Sequence, residues 1–448
     1  MSKTVSRRQF IKTTGIASAG AALGTAAFSK KSYSRILGAN DRVNFAIAGL
    51  HGRGNAHLSS IAALPNTAVT HICDVDQRYF DSFSPKTEKL TGQKPKAVID
   101  YRELVKDKDI DVITIATPEH WHAPMAVMAL QAGKHVYVEK PCSHNPAEGE
   151  LLVAARDKYG KLVQMGNQQR SSDFTIKLIQ RIHEGLVGRV YMGKAWYSNK
   201  RGSIGTGKEI PVPDFLNWDL WQGPAPRQAY RDNVHPYNWH WFWDWGTGET
   251  LNNATHEVDI CRWALQETWP LRVSASGGRY HYDDDWEFYD TLVTSFEYEN
   301  SLITWEGKSC QGMQYFDQGR GASIHGTEGT VIIGRGGYKV IDRDNQVIED
   351  FKREGEKDAT LNVVGAGPMT TEHFANLIDG IKNGAPLRSP IEEGNVSVTI
   401  LQLSNIAWKL RDTLHLDPQN GHITHNAKAQ AMRHREYEPG WEPETWHA

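Results

Sequence analysis

The sequence of 448 residues predicts a doubly wound α/β domain followed by an α+β domain with a large, mostly antiparallel open sheet. Up to about residue 166, short apolar runs alternate with helical patterns, which is typical of a parallel sheet with helical crossovers. Beyond that point, several runs alternate apolar with polar residues and are separated by turn dipeptides, which indicates hairpins. We predict domains at residues 41–166 and 167–412, an irregular tail at 413–448, and a separate N-terminal segment of 40 residues.

The first domain is predicted to contain five buried strands and four helices. The strands are predicted at residues 43–48, 68–73, 112–116, 136–138 and 162–165, because each is a short continuous apolar run. The helices are predicted at residues 56–63, 81–91, 123–132 and 147–159. Asn145 and Pro146 have the residue types expected at the N-cap and first position of the last helix.

The second domain is predicted to be mainly antiparallel. Strands are predicted at residues 190–197, 291–298, 302–308, 330–333, 338–342 and 346–349, and helices at 174–184, 371–382 and 394–410. The turn dipeptides Glu299-Asn300 and Asp344-Asn345 separate two pairs of these strands. Residues 200–250 are predicted to be a long loop rich in Trp, Gly and Pro.

Charge and cysteine content exclude several functions. Seven of the 50 Lys and Arg residues lie within residues 1–40, which contain no acidic residue. The rest of the chain therefore has 43 basic and 53 acidic residues. We therefore expect no nucleic-acid partner and no attraction to anionic lipid. The four cysteines have no CxxC or Cys/His spacing, so we predict neither a metal site nor a disulfide framework.

The N-terminal segment has the pattern of a twin-arginine export signal. Arg7 and Arg8 precede a weakly apolar, Ala- and Gly-rich run at about residues 13–28. This pattern predicts a protein that is exported folded to the periplasm, with no membrane association beyond the signal. The alternative is a chance Arg pair on a disordered tail.

A glycine-rich turn follows the first predicted strand, and it predicts a dinucleotide site. The turn nearly matches G-x-G-x-x-G, because its first and third glycines are present while His51 replaces the second. Glycines there let the backbone approach a pyrophosphate at a helix N-terminus. Asp74, 20 residues after Gly54, ends the next strand, where a carboxylate can accept ribose hydroxyls and favour NAD over NADP. The candidate residues of the turn are Gly49, His51, Gly52, Arg53 and Gly54. The alternative is an ordinary strand–turn with a capping Asp.

Two further motifs follow the strands predicted at residues 112–116 and 136–138. The carboxyl ends of such strands face the ligand crevice of an open α/β sheet. The candidate cofactor-binding residues of these motifs are Thr117, Pro118, His120, His122, Glu139 and Lys140. A lysine at the nicotinamide edge could donate to a substrate hydroxyl and stabilise a developing alkoxide. A lysine at a strand end is otherwise usually a solvated edge residue.

The glycine turn, the Thr-Pro-x-His-x-His stretch at 117–122 and the Glu-Lys-Pro tripeptide at 139–141 together resemble the Gfo/Idh/MocA oxidoreductase family. The resemblance covers essentially the whole chain beyond the N-terminal segment. It implies a Rossmann domain and a second domain whose open sheet often mediates dimers or tetramers, so we expect a homodimer or homotetramer. It also implies hydride transfer between a nicotinamide and a sugar or cyclitol carbon. The glycine turn, Asp74 and export in the folded state together predict that NAD is tightly bound.

The resemblance places the family's catalytic lysine on Lys140 and its active-site histidine on His256. Without the resemblance, a core histidine would be the better interpretation of His256. Asn252 stands where many members have Asp, and an Asn cannot accept a proton, so more of the base function would fall to His256. Asp259 would share a helix face with His256.

Two stretches are candidates for a sugar pocket. Gln168 and Arg170 follow the last strand of the first domain, and their side chains can bind hydroxyls or a carboxylate. Six tryptophans lie within residues 218–245, and aromatic faces stack on the C–H faces of sugars. We select Trp239 as a substrate candidate, while most of the others are expected to pack the loop.

Three functions remain open from the sequence. The first is plain oxidoreduction of a sugar or cyclitol, which an intact Lys140 favours. The second is NAD-dependent cleavage of a glycoside through transient oxidation at C3 and elimination, which would regenerate the cofactor in each cycle. The third is a sugar-binding relative without catalysis, which His51 and Asn252 would favour.

Overall fold

The computed structural model describes residues 42–353 and 367–446, and its first domain is built on a six-stranded parallel sheet. The strands are β1 (Val43–Ala48), β2 (Thr67–Cys73), β3 (Lys96–Val98), β4 (Val112–Ile115), β5 (His135–Val138) and β6 (Val163–Met165). Their order is β3-β2-β1-β4-β5-β6. The winding reverses between β1 and β4, and ligands of such sheets bind beside that point, at the carboxyl ends of the strands. The predicted Rossmann fold is thus confirmed.

Helices connect the strands of this sheet. They are α1 (Gly52–Ala62), α2 (Arg78–Thr91), α3 (Tyr101–Leu104), α4 (His122–Gln131) and α5 (Pro146–Tyr159). The start of α5 is confirmed, because the Asn145 side chain accepts the Glu148 backbone N–H at 3.1 Å and Pro146 is the first helical residue. The sequence did not predict β3 and α3, because β3 has no buried residue and α3 spans a single turn.

The second domain is built on a ten-stranded, mostly antiparallel sheet, as predicted. Its strands are β7 (Val190–Ser198), β8 (Arg272–Gly278), β9 (Thr291–Glu297), β10 (Leu302–Lys308), β11 (Arg320–Gly326), β12 (Gly329–Gly334), β13 (Gly337–Asp342), β14 (Val347–Lys352), β15 (Leu414–Leu416) and β16 (Ile423–Thr424). Their order is β14-β13-β12-β11-β7-β10-β9-β8-β15-β16, and β7 pairs in parallel with β10.

The helices of this part of the chain are α6 (Asp173–His183), α7 (Trp218–Gln222), α8 (Thr255–Leu265), α9 (Pro368–Asn383), α10 (Ile391–Leu410) and α11 (Ala427–Ala431). Helix α8 packs directly on β7 and β11. A Cβ added at Gly193 of β7 would lie 2.8 Å from the Cβ of Cys261, so the glycine permits this close approach. A short π-helical turn, Thr250–Ala254, leads into α8 and carries Asn252. Such turns are frequent at functional sites.

Helix α9 packs on the first domain although it follows the second sheet in sequence. The Phe374 ring stacks on Tyr137 of β5 with centroids 4.3 Å apart, and its edge meets Phe45 of β1. The predicted domain boundary at residue 166 therefore assigns α9 to the second domain, although α9 covers the sheet of the first.

The prediction of an irregular tail is corrected by the structure. Strands β15 and β16 extend the second sheet beyond β8, because Leu414, Leu416 and Ile423 are apolar side chains that become buried there. Trp446, near the end of the described residues, is also buried. The predicted export signal with Arg7 and Arg8 lies outside the described residues. Within residues 42–353 and 367–446, no helix has the length and apolar character needed to cross a membrane.

Candidate functional site

A cavity of about 810 Å³ opens at the carboxyl ends of the parallel strands. The turns after β1, β2, β4 and β5 form one side of it, while β7, α8 and the β12–β13 turn contribute residues from the second domain. Most of the predicted site residues line this cavity. They are Gly49, His51, Gly52, Arg53, Asp74, Thr117, Pro118, His122, Glu139, Lys140, Gln168, Trp239, Asn252 and His256.

The glycine turn has the close backbone packing that a pyrophosphate site needs. Gly49 has φ +86°, and a Cβ there would lie 2.4 Å from the Ala116 carbonyl oxygen. A Cβ at Gly54 would lie 1.9 Å from the Gly49 carbonyl oxygen, which accounts for the third glycine although Gly54 itself does not line the cavity. His51 has φ −71°, so this position does not require a glycine. Helix α1 therefore begins at the cavity wall with its first backbone N–H groups available to an anion.

Asp74 is fixed by the backbone at the carboxyl end of β2. Its carboxylate accepts the backbone N–H of Leu50 at 2.8 Å and that of Asp76 at 2.9 Å. Burial raises its pKa to about 6, against the effect of these hydrogen bonds. Because a carboxylate has about four acceptor sites, its oxygens can also accept from a ribose hydroxyl. Asp74 is therefore ionised at neutral pH and fits the predicted cofactor role.

Glu139 binds three side chains, two from α1 and one from the segment after β6. Its Oε1 accepts from Arg53 Nε at 2.7 Å and from Gln168 Nε2 at 3.1 Å, and it lies 3.0 Å from His57 Nε2. Burial alone would raise the pKa of Glu139, but Arg53 and His57 hold it well below its usual range. Arg53 and Glu139 thus form a partly buried ion pair that fixes the α1 start to the end of β5.

Lys140 reaches across the cavity to the π-helical turn. Its Nζ donates to the Asn252 backbone oxygen at 2.5 Å and to Asn252 Oδ1 at 3.2 Å. Burial lowers the pKa of Lys140 to about 8, against the effect of the nearby Glu119 carboxylate. The ammonium can therefore both donate a hydrogen bond and lose a proton near neutral pH.

His256 lies in the first turn of α8 and lines the cavity. Its ring nitrogens make no hydrogen bond with any residue in the described part of the chain. Burial, and then the positive charges of Arg335 and Lys140, hold the pKa of His256 well below its ordinary value. A neutral imidazole with a free nitrogen is suited to accept a proton.

The two predicted histidines of the 117–122 motif both lie against backbone carbonyl oxygens. The Nδ1 atom of His122 is 2.6 Å from the Pro141 carbonyl oxygen, and its Nε2 atom is 2.9 Å from the Thr117 carbonyl oxygen. His122 therefore connects the turns after β4 and β5. His120 does not line the cavity. Its ring nitrogens face the carbonyl oxygens of Trp221 and Trp245, at 2.9 and 3.3 Å. The structure therefore places His120 against the tryptophan-rich loop rather than at a cofactor.

Arg170 and Asp259, both predicted to bind substrate, lie away from the cavity lining. Arg170 Nε and Asp259 Oδ2 form a buried ion pair at 2.6 Å, and Ser397 donates to the other carboxylate oxygen at 2.7 Å. The pair connects the region after β6 to α8 and α10. Their polar groups are thus satisfied within the protein, unlike the imidazole of His256.

The tryptophan-rich loop divides between packing and the cavity. Trp221 and Trp239 line the cavity, and Trp239 stacks on His240 with centroids 3.6 Å apart. Trp218 and Trp245 pack within the loop's own buried cluster. Trp241 stacks on Trp286 at 3.9 Å. The expectation that most of these rings pack the loop agrees with this arrangement.

Several polar residues of the cavity were not predicted from the sequence. They are Glu119, Tyr197, Asn199, Arg201 and Arg335. Burial raises the pKa of Glu119 to about 7, while its hydrogen bond from Thr247 and the charge of Lys140 oppose this shift. Glu119 lies inside the 117–122 motif, so the motif itself was a signal. The pattern Tyr-x-Asn-x-Arg at 197–201 was a second signal, because alternate residues of a strand lie on the same face. No sequence feature distinguished Arg335.

Family models match most of the described chain. The model described as "Oxidoreductase family, NAD-binding Rossmann fold" matches residues 43–167, and the GFO/IDH/MocA C-terminal domain matches residues 175–332. The predicted NAD cofactor is confirmed by the first match, and the glycine turn and Asp74 fit it.

Curated relatives resemble part of the chain. A glycosyl hydrolase family 109 protein of Saccharopolyspora erythraea is 30% identical over 263 residues, which is 52% of this chain and 56% of the relative. An alpha-N-acetylgalactosaminidase of Shewanella oneidensis is 26% identical over 210 residues, 43% of this chain and 46% of the relative. The chain spans about half the length of these relatives.

Solved structures share the fold over a longer stretch. The WlbA dehydrogenase of Bordetella pertussis, solved with NADH and UDP-GlcNAcA, has a TM-score of 0.61 and 19% identity, covering 84% of this chain and 99% of that one. The aldose-aldose oxidoreductase of Caulobacter crescentus has a TM-score of 0.64 and 14% identity, covering 84% and 100%. The solved structures thus share the fold, and the two family models together show that the chain belongs to the Gfo/Idh/MocA oxidoreductase family.

Proposed function

We propose that this protein is an NAD-dependent oxidoreductase that acts on a hydroxyl-bearing carbon of a sugar or cyclitol, with Lys140 and His256 handling the hydroxyl proton. The observation that carries the proposal is the meeting of these two side chains at one cavity with the glycine turn and Asp74. Both groups are held in the protonation states that the reaction needs near neutral pH, since Lys140 keeps an ammonium to donate and His256 stays neutral.

The bound nicotinamide would supply the hydride acceptor or donor. In the oxidation direction, His256 accepts the hydroxyl proton at a ring nitrogen, because its depressed pKa leaves that nitrogen unprotonated. Lys140 Nζ donates to the same oxygen and stabilises the negative charge that develops there. Asn252 fixes Lys140 through its backbone and side-chain oxygens, and it cannot take a proton itself.

We further propose that the cofactor stays bound through each cycle and that the protein acts in the periplasm. Free NAD is scarce outside the cytoplasm, so an exported enzyme must retain and regenerate its cofactor. The paired Arg7 and Arg8 in the N-terminal segment support export by the twin-arginine route.

We also propose a homodimer or homotetramer joined through the second sheet. Large apolar side chains are exposed on its strands, among them Tyr191 of β7, Val293 of β9 and Val347 of β14. Light scattering on the purified protein checks this directly, since a monomeric mass would contradict it.

A second candidate is glycoside cleavage through transient oxidation and elimination. The curated relatives named for glycosyl hydrolase family 109 and for alpha-N-acetylgalactosaminidase favour it. That reaction needs an additional base for the C–H next to the oxidised carbon. Tyr197 lines the cavity, but burial raises the pKa of its OH to about 12, so it stays protonated near neutral pH and is not suited to this role.

One set of assays separates the two candidates. Denaturing the purified protein should release NAD or NADH, identified by absorbance and mass. Protein that never binds NAD(H), even on titration, would refute both functions. Aldoses and inositols should change nicotinamide absorbance in a single turnover if net oxidoreduction is correct. Release of nitrophenol from nitrophenyl glycosides, without net change in the bound cofactor, would support cleavage instead.

A further inference from the structure

Arg335 is a cation of the cavity wall that has no partner in the described part of the chain. It lies in the turn between β12 and β13, next to Gly334, and lines the cavity. Its guanidinium makes no hydrogen bond or ion pair with any residue in 42–353 or 367–446. The other cavity arginines differ, since Arg53 pairs with Glu139 at 2.7 Å and Arg201 with Glu249 at 2.5 Å.

The charge of Arg335 lies close to the proposed reaction centre. It is the strongest of the charges that depress the pKa of His256, and it also acts on that of Lys140. Arg335 lines the same cavity as these two groups, and electrostatic effects of this kind fall off with distance. A ligand group held by Arg335 would therefore lie near the carbon that reacts.

No described acid is free to neutralise this charge. Glu257 is the nearby carboxylate, but Arg320 holds it through Nε at 2.7 Å and NH2 at 3.0 Å. Burial, followed by the like charge of Arg320, lowers the pKa of Arg335 to about 9. Withdrawing a charge from water is unfavourable unless an opposite charge offsets it. Arg335 is partly buried at the cavity wall, so an anionic ligand that displaces water there would offset its charge.

We propose that Arg335 binds a carboxylate of the substrate, so that the sugars acted on are uronic acids or their glycosides. This inference rests on the proposed function and names its substrate class. A guanidinium matches the two oxygens of a carboxylate with two parallel hydrogen bonds. A uronate carries its carboxylate directly on the sugar ring, which suits an arginine placed beside the groups that act on a ring hydroxyl. A phosphate on the sugar, or the cofactor's own phosphates, are the other anions that the test must separate.

The test is calorimetric binding to the NAD-loaded protein. The probes are glucuronate and galacturonate, the neutral sugars glucose and galactose, glucose 6-phosphate, and inorganic phosphate. Each is titrated into the wild type, Arg335→Gln, Arg335→Lys and the control Arg343→Gln, which changes an exposed arginine at the far end of β13. In the wild type and the control, each uronate should bind about 10- to 100-fold more tightly than its neutral parent sugar. This difference should vanish in Arg335→Gln and be partly restored in Arg335→Lys.

Each contrary result overturns the inference. If the wild type binds a uronate and its parent sugar equally, or binds neither, no carboxylate site exists. This comparison uses the wild type alone. Tighter binding of glucose 6-phosphate than of uronates would assign Arg335 to a phosphate. Loss of NAD affinity in Arg335→Gln, with the preference for uronates retained, would assign it to the cofactor. The outcome is independent of turnover: uronate binding without any reduction of NAD would leave this inference standing while the proposed function fails.

Discussion

Replacing Lys140 by Met tests the proposed chemistry most directly. The variant keeps a similar apolar stem but loses the ammonium that donates to Asn252 at 2.5 and 3.2 Å. Removing one preorganised donor to a developing oxyanion costs about 10²–10³ in kcat. We therefore expect this loss in the single-turnover rate, with NAD affinity little changed because Asp74 and the glycine turn are untouched.

The stability of Lys140→Met should change little, and the structure shows why. Burial lowers the pKa of Lys140 from 10.5 to about 8, which corresponds to a cost on the order of 3 kcal/mol for keeping the charged form below pH 8. The variant removes this cost, but it leaves the Asn252 oxygens without their donor, a loss of about 1–3 kcal/mol. The two effects oppose each other, so the free energy of unfolding should shift only slightly.

Rapid-mixing measurements of nicotinamide absorbance provide the assay, and Lys177→Met, an exposed lysine on α6, is the matched control. In the wild type, the rate of sugar oxidation should fall as the pH rises above about 8, because Lys140 then loses the proton with which it stabilises the alkoxide. It should not fall at pH 6, because the depressed pKa of His256 keeps the imidazole neutral there. A wild-type rate in Lys140→Met, or the same alkaline decline in both proteins, would refute this role of the lysine.

Three other predictions test the cofactor site, the buried ion pair and export. Asp74→Asn should weaken NAD binding about 10- to 100-fold and reduce discrimination against NADP, measured by fluorescence titration; wild-type affinity should likewise fall below pH 6, where Asp74 becomes protonated. Asp259→Asn should lower the free energy of unfolding by about 3 kcal/mol in denaturant titrations, because it leaves Arg170 buried without its partner; unchanged stability with a raised KM for sugar would instead indicate substrate contact. Replacing Arg7 and Arg8 together by Lys should hold the protein in the cytoplasm of a fractionated bacterial host, and an unchanged periplasmic yield would contradict the twin-arginine route.

Much of the fold follows from local sequence. Strands β1, β4 and β5 are continuous apolar runs, and such runs are buried wherever helices cover a parallel sheet. Strands β8 and β11 were not predicted, since they are rich in Gly, Ser and Ala and lack a clear alternation. They form because neighbouring strands supply their hydrogen-bond partners, which is information that no local window contains.

The glycine turn and the two strand-end motifs determine by themselves where the cofactor site lies, because the carboxyl ends of parallel strands must meet at one edge of the sheet. Only the tertiary structure decided which polar groups remain free there. Arg170 and Asp259 neutralise each other, whereas Arg335 reaches the cavity without a partner among residues 42–353 and 367–446. The type of a side chain is set by the sequence, but its availability to a ligand depends on the charges that distant parts of the chain bring beside it.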